Sequence, residues 1–301
     1  MRKILMITVL VACLPFVSRA EDEQISSSDD WGGGGSSCGS GSGGYAGNWY
    51  RTLGIIGLTR DQRLICFNEY GPQYASTIGT ISGLTGGDTM LVGIDFRVQD
   101  GRLYGLGNLG GVYTLSTNNA VATFVNRVTV PLTGNSFGVD FNPVADRLRI
   151  ISDTGQNLRH NVNPGGTTVV DGTLNYTVGT TALGVTGAGY TNNDLDSNTA
   201  TTLYNVDSNL DQVTIQSPPN NGSLAATGKL TVATGSDVGF DIYSTVRNGV
   251  TVEVQAFAAL TSSTGTASLY KVTLATGRAD LRGNFGSQNL VMDIAIPLNQ
   301  L

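Results

Sequence analysis

Four aspartates recur at one place in a repeated strand motif: Asp95 in Gly93-Ile94-Asp95-Phe96, Asp140 in Gly138-Val139-Asp140-Phe141, Asp241 in Gly239-Phe240-Asp241-Ile242, and Asp293 in Val291-Met292-Asp293-Ile294. Carboxylates that converge on a common axis can do two things. Each can accept main-chain N–H groups from the neighbouring repeat and so hold its register. Together they can instead hold Ca²⁺, a hard cation that takes about six to eight oxygen ligands. Recurrence in most repeats is what a device of the fold shows, whereas a site for a single ligand tends to break the symmetry. The register role is therefore the expectation and the calcium site the alternative; no cofactor other than calcium is suggested.

Other reactive groups are few. His160 is the only histidine, which excludes His-based metal clusters and leaves little room for a Ser-His-Asp arrangement. Between Leu158 and Val162 it reads as a packed or solvated strand side chain. Asn192-Asn193-Asp194-Leu195-Asp196-Ser197-Asn198 has the alternating oxygens of a cation loop, but it lacks the expected Gly after Asn198 and has Asn205 where a bidentate Glu should stand. It reads as a turn-rich surface loop. Asn142 to Asp153, with Asp146, Arg147, Arg149 and Asp153, reads as exposed charge pairs and capped turns. No catalytic residue emerges.

Residues 1–20 carry Arg2 and Lys3, an apolar run from Ile4 to Val17, and Ser18-Arg19-Ala20 before an acidic stretch, the pattern of a signal peptide cleaved after Ala20. No later stretch reaches the length of an apolar membrane span. Secretion to the extracellular space, without a membrane anchor, is the expectation. Of 17 basic and 23 acidic side chains, cleavage removes only Arg2, Lys3 and Arg19, leaving a net charge of −9. Nucleic acid and other polyanions are poor partners for such a chain.

Cleavage also removes Cys13 and leaves Cys38 and Cys66. In an oxidising compartment a Cys38–Cys66 disulfide is the economical reading; the alternative is a Cys66 buried in a strand and a Cys38 paired to another chain. Asn175-Tyr176-Thr177 and Asn221-Gly222-Ser223 fit the N-glycosylation pattern in a eukaryotic host, and the turn-like surroundings of Asn221 make it the more exposed of the two.

These groups need a scaffold. Residues 21–50 are mostly Ser, Gly and acidic residues with little apolar surface to offset ordering, and read as a flexible arm. From residue 51 to 301 the chain consists of short alternating runs separated by Gly, Asn, Asp and Thr turns, an all-β pattern without helical periods. The strand motif recurs, counting the looser copies Ile56-Gly57-Leu58 and Gly187-Ala188-Gly189-Tyr190, with its key position at 57, 95, 140, 189, 241 and 293. Each interval suits one four-stranded blade.

Within the intervals a second strand returns (Arg63–Phe67, Arg102–Leu106, Arg147–Ile151, Leu203–Val206), and then a third (Val112–Leu115, Leu158–Val162, Gln212–Ile215, Leu269–Val272). Ala122–Val125 and Thr167–Val170 would serve as fourth strands. Five intervals and one orphan strand predict a β-propeller of five four-stranded blades, closed by the C-terminal strand pairing into the first blade. A ring of six blades is the alternative.

The run from Gly138-Val139-Asp140-Phe141-Asn142-Pro143 through Asp146-Arg147-Leu148-Arg149 to Gln156-Asn157-Leu158-Arg159 resembles the signature of the family catalogued as domain of unknown function 4394. Leu103-Tyr104-Gly105-Leu106, Thr202-Leu203-Tyr204 and Pro218-Pro219-Asn220 extend the likeness over residues 53–298. The resemblance implies a secreted, propeller-like β domain and transfers no catalytic residue. The expected function is a non-enzymatic binding or structural protein of the extracellular space or matrix, facing a glycan, mineral, matrix or protein ligand. The alternative is a secreted hydrolase or lactonase-like propeller enzyme that depends on calcium.

Overall fold

The computed structural model describes residues 52–301; Cys38 and the segments read as signal peptide and arm lie outside the described residues. The first strands are β1 (Gly54–Thr59), β2 (Arg63–Asn68) and β3 (Ser76–Thr80), with a 3-10 turn at Pro72–Tyr74 between the last two. The second blade comprises β4 (Leu91–Phe96), β5 (Leu103–Gly107), β6 (Gly111–Leu115) and β7 (Ala122–Arg127). The third comprises β8 (Phe137–Asn142), β9 (Arg147–Ser152), β10 (Asn157–His160) and β11 (Thr168–Val170). A small hairpin, β12 (Asn175–Thr177) and β13 (Thr180–Thr181), leads to the fourth blade. That blade is β14 (Val185–Tyr190), β15 (Leu203–Asp207), β16 (Gln212–Gln216) and β17 (Leu224–Lys229). The fifth is β18 (Val238–Arg247), β19 (Val250–Thr261), β20 (Ala267–Val272) and β21 (Ala279–Asn284), and the last strand is β22 (Val291–Ala295).

These strands form five four-stranded antiparallel sheets arranged as a five-bladed β-propeller, and β22 completes the first sheet in the order β22-β1-β2-β3. The expected closure is thus observed, with one correction. The innermost strand of the first blade is β22, so β1 around Gly57 is its second strand and Arg63–Phe67 its third. Gly57 is therefore not a copy of the axial position. The misreading has a physical origin: β1 is buried along its whole length, so it shows the same apolar run as an inner strand.

The core is divided into wedges between neighbouring blades. Ile55, Phe67, Phe257 and Ile294 pack between the first and fifth blades, Ile56, Ile94 and Tyr113 between first and second, and Leu106, Phe141 and Ile150 between second and third. Ile151, Val185 and Leu203 fill the wedge between third and fourth, and Val206, Phe240 and Ala258 that between fourth and fifth. Because both faces of a blade are covered, its central strands read as nearly unbroken apolar runs rather than as alternation.

The fifth blade departs from the repeat. Its β18–β19 hairpin continues past the blade to a two-residue Asn248-Gly249 turn, in which both residues have positive φ (53° and 80°) and Arg247 faces Val250. Asn-Gly is the pair that a type I′ hairpin turn selects.

Candidate functional site: the axial aspartates

The inner strands β22, β4, β8, β14 and β18 follow one another around the axis. The Gly-x-Asp pattern of β4, β8 and β18 has a direct steric meaning. A Cβ at Gly138 would lie 2.8 Å from the Ala188 nitrogen, and one at Gly239 would lie 2.7 Å from the Asp293 backbone. Glycine lets the next inner strand approach, and the aspartate two residues on, pointing to the same side, then bonds to that strand.

Asp95 accepts the Phe96 N–H on Oδ1 and the Phe141 N–H of the next blade on Oδ2, both at 2.7 Å. Asp140 accepts the Tyr190 N–H at 3.1 Å. Asp241 accepts the N–H groups of Ile242 and, at 2.6 Å, Ile296. Asp293 accepts Ile294 at 2.9 Å and Ile94 at 2.7 Å. Each of the four thus ties its strand to the neighbouring inner strand.

The four are not all level. Asp95 and Asp140 reach the residue after the axial position of the next strand, Phe141 and Tyr190. Asp241 reaches Ile296, which makes Ala295 the level position in β22. Asp293 reaches Ile94, one residue before Asp95. One level of the axis therefore carries Asp95, Asp140, Gly189, Asp241 and Ala295, with Asp293 displaced by one side-chain repeat. Consistent with this, Asp95, Asp140 and Asp241 each offer a carboxylate oxygen within 4.8 Å of the others, a group that Asp293 does not join.

All four aspartates are buried. Loss of hydration raises the pKa of each carboxyl well above the ordinary range, with Asp241 pushed up to about 6. The Asp241 charge adds to the shift at Asp95, and the Asp95 charge adds to that at Asp140. The main-chain donors pull the other way. Three oxygens at this spacing suit a hard cation in kind, since a carboxylate oxygen that accepts an N–H keeps a second lone pair. Among the described residues this is the one set of three potential metal-ligating side chains so close together.

The remaining sequence candidates are absorbed by the fold. His160 is fully buried; its Nε2 donates to Asn126 Oδ1 at 2.9 Å while Nδ1 accepts the Thr168 hydroxyl at 2.9 Å. The Asn126 amide group donates in turn to the Asn161 carbonyl, which orients its oxygen toward the imidazole. Burial, reinforced by the Arg147 charge, lowers the His160 pKa to about 4. In the loop after β14, Asp194 accepts the N–H groups of Asp196 and Thr251, and Asp196 that of Asn198, so its oxygens close turns and pin the β18–β19 hairpin.

Asn142 caps the turn at Val144 and Ala145, as expected, and Arg97 grips Asp146 through two bonds of 2.7 and 2.6 Å. The expectation of exposed charge pairs fails at Arg149, whose side chain is 1% exposed. It donates to Asp171 at 2.6 Å, Asn157 at 2.7 Å, Asn220 at 3.0 Å and the Tyr190 hydroxyl at 3.2 Å. Arg159 adds a two-bond grip on the same Asp171. The signature residues Arg149, Asn157, Arg159 and Asn220 thus converge on one polar cluster between the third and fourth blades. On β9 Arg149 lies on the face opposite Leu148 and Ile150, and it is buried because both faces of the strand are covered.

Cys66 is buried in β2. Asn175 commits its amide group to the Thr173 carbonyl at 2.8 Å, whereas Asn221 is exposed at the end of the Pro219–Asn221 turn.

Solved structures with similar folds include a protein of unknown function from Bacteroides thetaiotaomicron (TM-score 0.43, 11% identity, 59% of this chain and 45% of that one). A glutaminyl cyclase from Myxococcus xanthus matches at TM-score 0.37 and 16% identity over 70% and 72% of the two chains. An auxiliary nutrient binding protein from Bacteroides ovatus matches at TM-score 0.37 and 11% identity over 74% and 57%. The chain thus spans about half the length of the first and third. No curated protein matches by sequence. The profile of the family described as domain of unknown function DUF4394 matches residues 63–295, and with that span covering most of the propeller the chain belongs to this family.

Proposed function

We propose that the chain is a secreted, non-enzymatic binding or structural protein of the extracellular space, whose propeller presents its outer surface to a glycan, mineral, matrix or protein ligand. The supporting observation is that the groups the sequence offers for chemistry are spent on the fold. A general acid or base must reach the proton it moves. Here the axial carboxylates accept main-chain N–H groups between blades and His160 bridges Asn126 and Thr168 out of solvent. On this reading residues 1–20 are the signal peptide, residues 21–50 the tether, Cys38 and Cys66 a disulfide, and Asn221 rather than Asn175 the glycosylated sequon.

A second reading, a hydrolase or lactonase that depends on calcium, is favoured by one observation, the three carboxylate oxygens within 4.8 Å of one another. Thermal unfolding of the mature protein in EDTA and in millimolar Ca²⁺, run beside an ester and lactone panel, separates the two. The binding reading expects no turnover. A clear rise in melting temperature with Ca²⁺ together with hydrolysis would overturn it, whereas a rise without hydrolysis would make the axial trio a structural cation site.

A further inference from the structure

We propose that the surface around Tyr70 and Tyr74, on the loop between β2 and β3, binds the pyranose rings of a neutral glycan. This rests on the reading of the chain as a binding protein and gives that reading a site and a ligand class.

The loop is held rigidly by bonds that do not involve its tyrosine rings. Asn68 Oδ1 accepts the Tyr70 N–H at 2.9 Å, and the Asn68 carbonyl accepts Gly71 at 2.9 Å. The Glu69 N–H reaches the Leu53 carbonyl at 3.0 Å, and the Tyr74 and Ala75 N–H groups close the 3-10 turn. Pro72 is buried, and the turn lies on β21 at Gly283, where a Cβ would come within 2.9 Å of the Pro72 ring. On this fixed backbone Tyr70 is 56% and Tyr74 80% exposed. Both rings stay largely open to solvent, Tyr70 with Arg282 against it. Tyrosine supplies broad, rigid contact area at low entropic cost, which suits it to recognition.

The polar surroundings narrow the ligand class. The Arg282 guanidinium lies 4.6 Å from the centre of the Tyr70 ring, holding it in place, and stands 4.0 Å from the Glu69 carboxylate. The other Glu69 oxygen accepts the Leu53 N–H at 3.2 Å. The Arg282 Nε is buried and has no hydrogen-bond partner. The cation and the anion balance, so the patch is locally neutral, on a chain whose mature charge of −9 repels polyanions. A pyranose has a C–H face that lies flat on an aromatic ring and edge hydroxyls that both donate and accept. The Tyr70 and Tyr74 rings offer a flat surface for the first, and their hydroxyls with the partly exposed Arg282 guanidinium offer polar groups for the second, while buried Glu69 balances the charge.

The test is native affinity electrophoresis of the full mature chain in gels containing hydroxyethylcellulose, laminarin or galactomannan, with the Tyr70→Ala/Tyr74→Ala double variant alongside. Retardation by at least one of these polysaccharides is expected, with affinity about tenfold lower or worse in the variant. The substituted rings are solvent-facing, and an unchanged melting temperature shows that the variant is folded.

Equal retardation of the variant would overturn the site while leaving a binding function elsewhere intact. No retardation in any gel would overturn the ligand class. Protection of both tyrosines from nitration in the sugar-free chain would also overturn the proposal, because another part of the chain or a second copy would then cover them. Failure of the binding reading itself has a different signature, hydrolysis on the ester and lactone panel.

Discussion

Asp95 Oδ2 accepts the main-chain N–H of Phe141 at 2.7 Å, so a side chain of the second blade's inner strand supplies the hydrogen bond that the third blade's inner strand lacks on that side. In an open sheet that N–H would be an exposed edge group. Here it is buried at the axis and must be paired.

The substitution Asp95→Ala therefore leaves the N–H groups of Phe96 and Phe141 buried without partners. Each such group costs about 1–3 kcal/mol, and a loss of roughly 3 kcal/mol in urea unfolding is expected. A loss below about 0.5 kcal/mol, the range of ordinary surface substitutions, would show that the bond does not hold the blades together.

The axial set has an unusual pH signature. Its folded pKa values lie above the unfolded ones, so the folded state binds more protons and stability falls as pH rises, from near 4 through the folded values, about 6 for Asp241 and raised for the other three. In EDTA, the melting temperature should decline between pH 5 and pH 7.5, and Asp241→Asn should flatten that decline. A variant whose profile over this window parallels the wild type would remove the axial carboxylates as its cause.

His160 works in the opposite sense. Its folded pKa, about 4, lies below the ordinary value of 6.5, so its contribution is present above 6.5 and is lost as pH falls toward 4. Because the chain has one histidine, its imidazole proton resonance can be followed without ambiguity by NMR. A midpoint near 4 is expected, and a midpoint near 6.5 would mean that the ring is solvated.

Arg149 and Asp171 should respond unequally to removal. Asp171→Ala strips the buried guanidinium of its counter-charge and frees Arg159 as well, a loss of about 3–5 kcal/mol. Arg149→Met removes the buried charge and leaves Asp171 paired with Arg159, so it should cost less. Chemical denaturation of both variants checks the order, and the reverse order would place the energetic centre of the cluster on the arginine.

Most of the propeller is legible in the sequence. Short apolar runs and turn residues set the all-β character, and the recurrence of Gly-x-Asp marked three of the inner strands, because a strand that must approach its neighbour closely and then bond to it has few solutions in side-chain chemistry. The axial aspartates were identifiable by type and position for the same reason. Tertiary structure decided which of the equivalent-looking strands is innermost in the first blade, since β1 and β22 are both buried on two faces and their roles depend on where the ring closes. It also decided the levels of the aspartates: Asp293 sits in a looser copy of the motif, with Val291 in place of Gly, and the register of β22 against β4 and β18 shifts it along the axis. The burial of Arg149 beside Asp171 and Asn220, and the convergence of Arg282 with Glu69 and Tyr70, arise between segments far apart in the chain. Local pattern carries no information about such distances, because they are set by how twisted blades pack around a closed ring.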